Sequence, residues 1–121
     1  MTILVVDDKP DTRLLLQETL EKVGYQVLLT EFAETARQIL QETHLDAVIV
    51  SWTPSAVSRR ELAHWIRQQP LPFGRQLVVI AVGNISPVRD SSLPVDVFVP
   101  WPFNPLELIS WLKKLLPSPL S

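Results

Sequence analysis

The chain has 121 residues, of which 46% are hydrophobic and 20% are charged, and its formal net charge is −2. This length fits a single domain, and the composition is typical of a globular protein. Because the sequence contains no cysteine, disulfide scaffolds, thiolate catalysis and cysteine-ligated zinc are excluded. The small net charge gives no reason to expect a nucleic-acid or membrane partner.

The first residues, Met-Thr-Ile-Leu-Val-Val-Asp-Asp, lack the basic flank and the long apolar stretch of a signal peptide. No apolar run in the chain approaches the roughly 20 residues that a membrane helix needs. We therefore expect a cytoplasmic protein.

Short apolar runs alternate with amphipathic segments in the first half of the chain, as in a parallel sheet with crossover helices. In chain order the predicted elements are a strand over 3–6, a helix over 11–22, a strand over 25–30, a helix over 33–41 and a strand over 46–50. Asp11 is predicted to cap the first helix and Gly24 to end it. The helical residues predicted to face the core are Leu16, Leu20, Val23, Ala36, Ile39 and Leu40.

The second half continues this alternation. Its predicted elements are a loop over 51–57 marked by Pro54, a helix over 59–69, strands over 77–82 and 95–99, and a last helix. Asn104 is predicted to cap that last helix, with Pro105 in its first turn. The inward residues are predicted to be Leu62, Trp65, Ile66, Leu108, Ile109, Leu112, Leu115 and Leu116.

This pattern predicts an α/β fold with a single doubly wound, five-stranded parallel sheet covered by helices on both faces. We expect one domain over 1–121, with a core over about 2–116 and a frayed tail over 117–121. Ligands of such sheets bind at the carboxyl ends of the strands. The positions to consider are therefore Asp7, Asp8, 51–54, 81–84 and 100–103.

Several motifs at these strand ends stand in a characteristic order. They are Val5-Val6-Asp7-Asp8, then Arg13, Leu16, Leu20 and Gly24-Tyr25-Gln-Val, then Leu45-Asp46-Ala-Val-Ile-Val, and finally Val99-Pro100-Trp101-Pro102-Phe103. In this order and spacing the chain, over roughly 2–116, resembles the receiver domain of two-component response regulators, the CheY-like superfamily. The resemblance implies a flavodoxin-like sheet with strand order 2-1-3-4-5.

The resemblance also implies five functional positions. Two first-loop acids hold Mg²⁺, an aspartate after the third strand accepts phosphate from a histidine kinase, and a Ser or Thr and a Lys grip the phosphoryl oxygens. Here the acids are Asp7 and Asp8, but the phosphoacceptor position falls on Ser51 and the Lys position on Trp101. The hydroxyl position falls on Ala81 or Val82, neither of which has a hydroxyl. We therefore predict a degenerate pseudo-receiver that lacks the phosphoacceptor aspartate and has no catalytic residues.

Asp7 and Asp8 have two interpretations. Without a third carboxylate they hold at most a weak, largely hydrated Mg²⁺ ion, and no other cofactor is expected. Alternatively they are solvated carboxylates paired with Lys9, Arg59 or Arg60.

The segment between the fourth and fifth strands carries Pro87 and Pro94 and is short for the family. Since proline disrupts a helix interior, the helix expected there, the fourth in the family, is predicted to be short or missing.

Trp101 is either a hydrophobic anchor for a partner or a plug that fills the space left by the missing side chains. Together with Phe103 and Trp111 it forms the predicted interaction surface. Trp111 lies near the edge of the apolar stripe of the last helix, so the alternative, which we favour for this residue, is that it flanks the core. The resemblance further implies a cis peptide bond between Trp101 and Pro102.

The function predicted from these features is a phosphorylation-independent module that binds another signalling protein or a second copy of itself, and not an enzyme. One alternative is a response regulator with nonstandard phosphorylation at Ser51 or Thr53. Another is a small-ligand sensor that uses the altered pocket.

Overall fold

The computed structural model describes residues 1–53, 57–68, 77–83 and 95–116. The elements in these ranges alternate in type along the chain. They are β1 (Thr2–Val6), α1 (Pro10–Glu21), β2 (Gln26–Thr30), α2 (Ala33–Glu42), β3 (Ala47–Trp52), α3 (Val57–Gln68), β4 (Val78–Gly83), β5 (Val97–Pro100) and α4 (Pro105–Leu115). The predictions for Pro54, for the helix between β4 and β5 and for the tail over 117–121 lie outside the described residues.

The five strands form one parallel sheet in the order β2-β1-β3-β4-β5. This confirms the predicted doubly wound α/β fold and its strand order. The three central strands are buried on both faces, which is why they contain almost only apolar residues. Because the strands are parallel, the carboxyl ends of β1, β3, β4 and β5 all lie at the same end of the sheet.

Successive strand residues point to opposite faces, so the sheet separates two apolar cores. The first core, which includes Ile3 and Val5, packs against α1 and α4. The second core, which includes Leu4 and Val6, packs against α2 and α3. Most predicted inward residues are buried in one of these cores, and Ile39 and Trp65 are partly buried beside the second.

Two helix ends match the sequence prediction. The Asn104 side chain accepts a hydrogen bond from the Leu106 N–H at 2.9 Å, and Pro105 occupies the first turn of α4. Gly24, just after α1, has a φ of +97°, a backbone conformation that glycine adopts without a steric penalty.

Three local predictions about helices are wrong. Asp11 does not cap α1, because Pro10 already occupies the first turn and Lys9 precedes it; Asp11 lies within that turn. Val23 is exposed since α1 ends at Glu21, two residues before it. Leu115 is also exposed at the end of α4, where Leu116 faces the core instead.

The predicted loop at 51–57 begins too early. Ser51 and Trp52 belong to β3 and pair with Val82 and Gly83 of β4. Trp52 is 2% exposed in the second core, so the sheet gains apolar contact by extending over it. This extension fixes the orientation of Ser51 relative to its neighbours.

Candidate functional site

The carboxyl ends of the strands border an open cleft of about 490 Å³. Its lining includes side chains from the loop after β1, the end of β3, the end of β4 and the segment after β5. Among them are Lys9, Thr12, Ser51, Thr53, Val82 and Trp101. The sheet therefore brings together residues from three of the indicated groups, 51–54, 81–84 and 100–103, whereas Asp7 and Asp8 are not among the described residues that line the cleft.

The register between β3 and β4 identifies the neighbour of Ser51. Ser51 pairs with Val82, and both line the cleft, whereas Ala81 pairs with Val50 and is fully buried in the second core. Of the two residues considered for the hydroxyl position, Val82 is therefore the one at the cleft. An isopropyl group cannot hydrogen-bond to an anion beside Ser51.

Trp101 lies at the rim of the cleft, directly after β5. Its backbone N–H donates to the Gly83 carbonyl at 2.8 Å, and its peptide bond to Pro102 is cis, as the resemblance implies. The Trp101 side chain is 36% exposed, and its ring centroid lies 5.4 Å from that of Phe103. Phe103 is itself buried in the first core, which corrects the prediction that it presents surface of its own. It supports the indole ring of Trp101 from below.

Trp111 lies on α4 and is only partly buried against the first core. The Lys114 ammonium group lies 5.3 Å from the centroid of its ring, within the range of a cation–π contact. Trp111 thus flanks the core and keeps part of its ring accessible.

Asp7 is not the solvated carboxylate that one interpretation predicted. Its side chain is fully buried, and its Oδ1 accepts a hydrogen bond from the Lys9 N–H at 2.9 Å. Its Oδ2 has no hydrogen-bond partner among the described residues. Burial raises the pKa of Asp7 above its ordinary value of 3.8, although the Lys9 N–H opposes this shift. The carboxylate charge is therefore poorly compensated at this position.

Asp8 is half-exposed and forms an ion pair with Arg59, whose Nη1 lies 3.7 Å from its Oδ1. Arg59 comes from the first turn of α3 and is only 7% exposed. Its Nε donates to the Ser51 carbonyl at 2.8 Å, and its Nη2 donates to Thr53 Oγ1 at 3.3 Å. One guanidinium group thus contacts the first loop and the segment that contains Ser51.

Sequence reasoning named Arg59 only as one of three candidate partners for the acids and missed its contacts with Ser51 and Thr53. The available signal was a pair of arginines soon after a buried strand. Sequence reasoning also gave Arg13 no role at the site. The Arg13 Nη1 donates to the Asp7 carbonyl at 2.9 Å and lies 3.6 Å from Glu31, so it braces the first loop from α1.

The residues at the cleft do not fit a Mg²⁺ ion. Magnesium prefers several oxygen ligands in octahedral geometry, but Asp8 is paired with Arg59 and Ser51 provides no carboxylate. Within the described ranges no group of three or more His, Cys, Asp or Glu residues is arranged to hold a metal.

Within the same ranges, no helix has the length and apolar character required to cross a membrane.

The family model of the response regulator receiver domain matches residues 3–112. The chain is 27% identical over 117 residues to the phosphate regulon transcriptional regulatory protein PhoB of Pseudomonas aeruginosa, covering 95% of this chain and 51% of PhoB. It is 33% identical over 119 residues to PhoB of Rhizobium meliloti, covering 94% and 51%. The chain thus spans about half the length of these curated relatives.

Solved structures agree with this result. The response regulator TrrA of Thermotoga maritima, in complex with Mg²⁺-BeF, is 32% identical, with a TM-score of 0.81 over 95% of this chain and 98% of that one. A response regulator of Chloroflexus aurantiacus shares the fold, with a TM-score of 0.82 at 24% identity over 94% of this chain and 95% of that one. The family belongs to two-component signalling, in which receiver domains interact with other signalling proteins such as kinases and effectors. The chain belongs to the response regulator receiver domain family.

Proposed function

We propose that this chain is a pseudo-receiver, a receiver domain that acts without phosphorylation as a protein-binding, regulatory module in signal transduction and catalyses no reaction. The observation that carries the proposal is the composition of the cleft at Ser51. The strand register sets Ser51 beside Val82, and Trp101 stands at the rim. A hydroxyl, an isopropyl group and an indole thus stand at the positions to which the resemblance assigns the phosphoacceptor, the hydroxyl ligand and the cation.

Each replacement removes a chemical requirement of aspartyl phosphorylation. An acyl phosphate needs a carboxylate nucleophile, and serine lacks one. Val82 offers no donor to the phosphoryl oxygens, and the Trp101 ring carries no positive charge. The alternative of phosphorylation at Ser51 or Thr53 requires a base to activate a hydroxyl. Thr53 instead contacts the cationic Arg59, whose Nη2 donates to its hydroxyl oxygen.

The proposed docking surface is centred on Trp101, with Phe103 beneath it and Trp111 on α4. Tryptophan is enriched among the residues that dominate binding energy at protein interfaces. The exposed indole of Trp101 rests on the buried Phe103 ring, so little conformational freedom is lost when a partner covers it. This favours the anchor interpretation of Trp101 over the plug interpretation. The partner is another signalling protein or a second copy of the chain, and we retain the cytoplasm as the compartment.

The first test is a titration with Mg²⁺ and beryllofluoride, an analogue of the phosphoryl group. Tryptophan emission and sedimentation are recorded together, since Trp52 adjoins Ser51 and Trp101 lies at the cleft. We expect no saturable change in either signal. A saturable response would contradict the proposal, as would a mass increase of one phosphoryl group after incubation with a small acyl-phosphate donor. A thermal-shift response to small metabolites would favour the ligand-sensor alternative instead.

The docking surface is tested with Trp101→Ala. In wild type, sedimentation at rising concentration distinguishes self-association from a monomer that needs a different partner. Phe32→Ala is the matched control, because Phe32 is 62% exposed and follows β2 at the opposite edge of the sheet. We expect Trp101→Ala to weaken binding to a copy or to an identified partner at least tenfold and Phe32→Ala to leave it unchanged. Equal effects of the two variants would argue against this surface.

A further inference from the structure

Arg59 is a buried charged residue beside the cleft, where it contacts two of the lining residues, Ser51 and Thr53. At 7% exposure its guanidinium group has lost most of its contact with water, which is costly unless partners replace the water. The partners are the Ser51 carbonyl, the Thr53 hydroxyl and the Asp8 carboxylate. They come from two separate segments of the chain, so this one side chain connects the first loop to the end of β3.

These three partners are a carbonyl, a hydroxyl and a carboxylate oxygen. Hard oxygens of this kind are the ligands that Mg²⁺ and Ca²⁺ take in proteins. In this chain they surround a planar organic cation that offers several N–H donors in a fixed arrangement. A divalent ion that bound to the same oxygens would have to displace Arg59 from them.

The charges near the first loop support the same conclusion. The carboxylates of Asp7 and Asp8 are accompanied by two cations, Arg59 and Lys9, both of which act on Asp7. These two cations offset part of the negative charge that would otherwise attract a divalent ion to the first loop.

We propose that Arg59 is a built-in cation that takes the place of a bound metal ion and holds the cleft in a single charge state. This inference deepens the proposed function and rests on it, because it identifies a residue that keeps the cleft from binding the metal ion that phosphorylation would require. It also makes a claim of its own: Arg59 blocks a cation site that would otherwise form once a carboxylate is restored at residue 51.

The test compares wild type, Ser51→Asp and the double variant Ser51→Asp/Arg59→Gln. Glutamine keeps an N–H donor that can reach the Ser51 carbonyl but removes the charge. Each protein is titrated with MgCl₂ at constant ionic strength, and tryptophan emission and the thermal midpoint are followed. The control is Ser51→Asp/Arg67→Gln, which removes one arginine charge from the same helix. Arg67 binds Asp96 and the Leu77 carbonyl, at the other end of α3.

We expect wild type to show no saturable response to Mg²⁺. The double variant with Arg59→Gln should bind Mg²⁺ at least tenfold more tightly than Ser51→Asp, and the Arg67→Gln control should match Ser51→Asp. The inference is overturned if Ser51→Asp binds Mg²⁺ as tightly as the double variant, or if the folded double variant does not bind it. Should the double variant fail to fold, Ser51→Asp/Arg59→Met replaces it, because methionine keeps a long, flexible side chain but removes both the charge and the N–H donors. Equal affinity for this variant and Ser51→Asp would then overturn the inference.

The two proposals fail in different experiments. The pseudo-receiver proposal fails if wild type responds to Mg²⁺ with beryllofluoride or accepts a phosphoryl group. The Arg59 proposal fails on the comparison of variants that all carry Ser51→Asp, whatever the wild type does with a phosphoryl analogue.

Discussion

The adjacent residues Asp7 and Asp8 should respond in opposite directions when each is changed to asparagine. Asp7 is fully buried with one carboxylate oxygen lacking a hydrogen bond among the described residues, whereas Asp8 is half-exposed and neutralises Arg59. We expect Asp7→Asn to raise the free energy of unfolding at pH 7 and Asp8→Asn to lower it. The two variants change net charge equally, so long-range electrostatics cannot explain a difference in sign.

The magnitude for Asp7 follows from its contacts. Leaving a buried polar atom without a hydrogen bond costs about 1–3 kcal/mol, and more when the group is charged. Asparagine removes this charge, but its NH₂ group takes the place of Oδ2 and also lacks a partner, so only the additional cost of the charge is recovered. Asparagine still accepts from the Lys9 N–H, but it loses the charge-assisted part of that bond and the attraction of Arg59. We expect a net gain of about 1 kcal/mol, which corresponds to roughly 3–6 °C in the thermal midpoint.

The pH dependence gives a second, independent check on Asp7. Because its pKa is raised in the folded protein, the unfolded chain loses its proton first as the pH rises above 3.8, and the wild type loses stability until the folded pKa is passed. Asp7→Asn lacks this loss. Its advantage should therefore be absent below pH 3.8, grow as the pH rises and remain constant above the folded pKa.

Urea unfolding of the three proteins from pH 3 to pH 8 measures these effects. For Asp8→Asn we expect a loss of about 0.5–1 kcal/mol, since the ion pair is partly screened by water. The reasoning would be refuted if Asp7→Asn were less stable than wild type at pH 7, or if its advantage persisted unchanged at pH 3. Equal shifts in both variants would mean that the difference in burial has no energetic consequence.

Further predictions concern residues that determine the fold around the cleft, and all are measured by urea unfolding at pH 7. Gly83→Ala should cost about 3 kcal/mol or more, because a Cβ there would lie 1.8 Å from the Trp52 carbonyl oxygen. Gly24→Ala should cost only about 1–2 kcal/mol, since its φ of +97° disfavours a side chain but the surrounding space is open. Asn104→Ala should cost about 1 kcal/mol through loss of the α4 cap, and full retention of stability would contradict that role. Leu112→Ala should cost about 2–5 kcal/mol, because the side chain is fully buried in the first core.

The architecture of the sheet could be predicted from the sequence because most of its strands are buried on both faces. A run such as Val48-Ile49-Val50 has no polar alternative and indicates a central parallel strand. The residue at which β3 ends could not be predicted in the same way. Ser51 and Trp52 are a polar and an aromatic residue without clear periodicity, and only their pairing with β4 shows that the strand continues.

The identity of the cleft residues was predictable in part. Spacing from Asp46 located Ser51, but the choice between Ala81 and Val82 depended on a register that one sequence does not contain. The parallel pairing of β3 with β4 settles it, since neighbouring residues on a strand face opposite sides. A shift of one residue exchanges a side chain buried in the second core for one that lies in the first core and borders the cleft.

Arg59 shows why side-chain contacts were the least predictable part of the site. It is eight residues after Ser51 in the sequence, yet its guanidinium Nε donates a hydrogen bond to the Ser51 carbonyl. Charged side chains are almost never fully buried unless they are paired, so the general expectation for an arginine in the first turn of a helix is solvent exposure. The same expectation gave the wrong prediction that the Asp7 carboxylate is solvated. Asp7 is held in its buried position by hydrogen bonds with the Lys9 N–H and with Arg13.

Compared with the site that the resemblance implies, the residues at this cleft change the balance of charge in a coordinated way. A receiver site of the kind implied by the resemblance has three carboxylates and one lysine, a balance of two negative charges that Mg²⁺ neutralises. Here serine removes one negative charge, tryptophan removes one positive charge, and Arg59 is buried against Asp8. On the Arg59 proposal, a carboxylate restored at residue 51 alone would not open a metal site, because Arg59 would still hold the Ser51 carbonyl, Thr53 and Asp8. On the pseudo-receiver proposal, the loss of phosphotransfer would therefore depend on the buried arginine and Trp101 as well as on the absent aspartate.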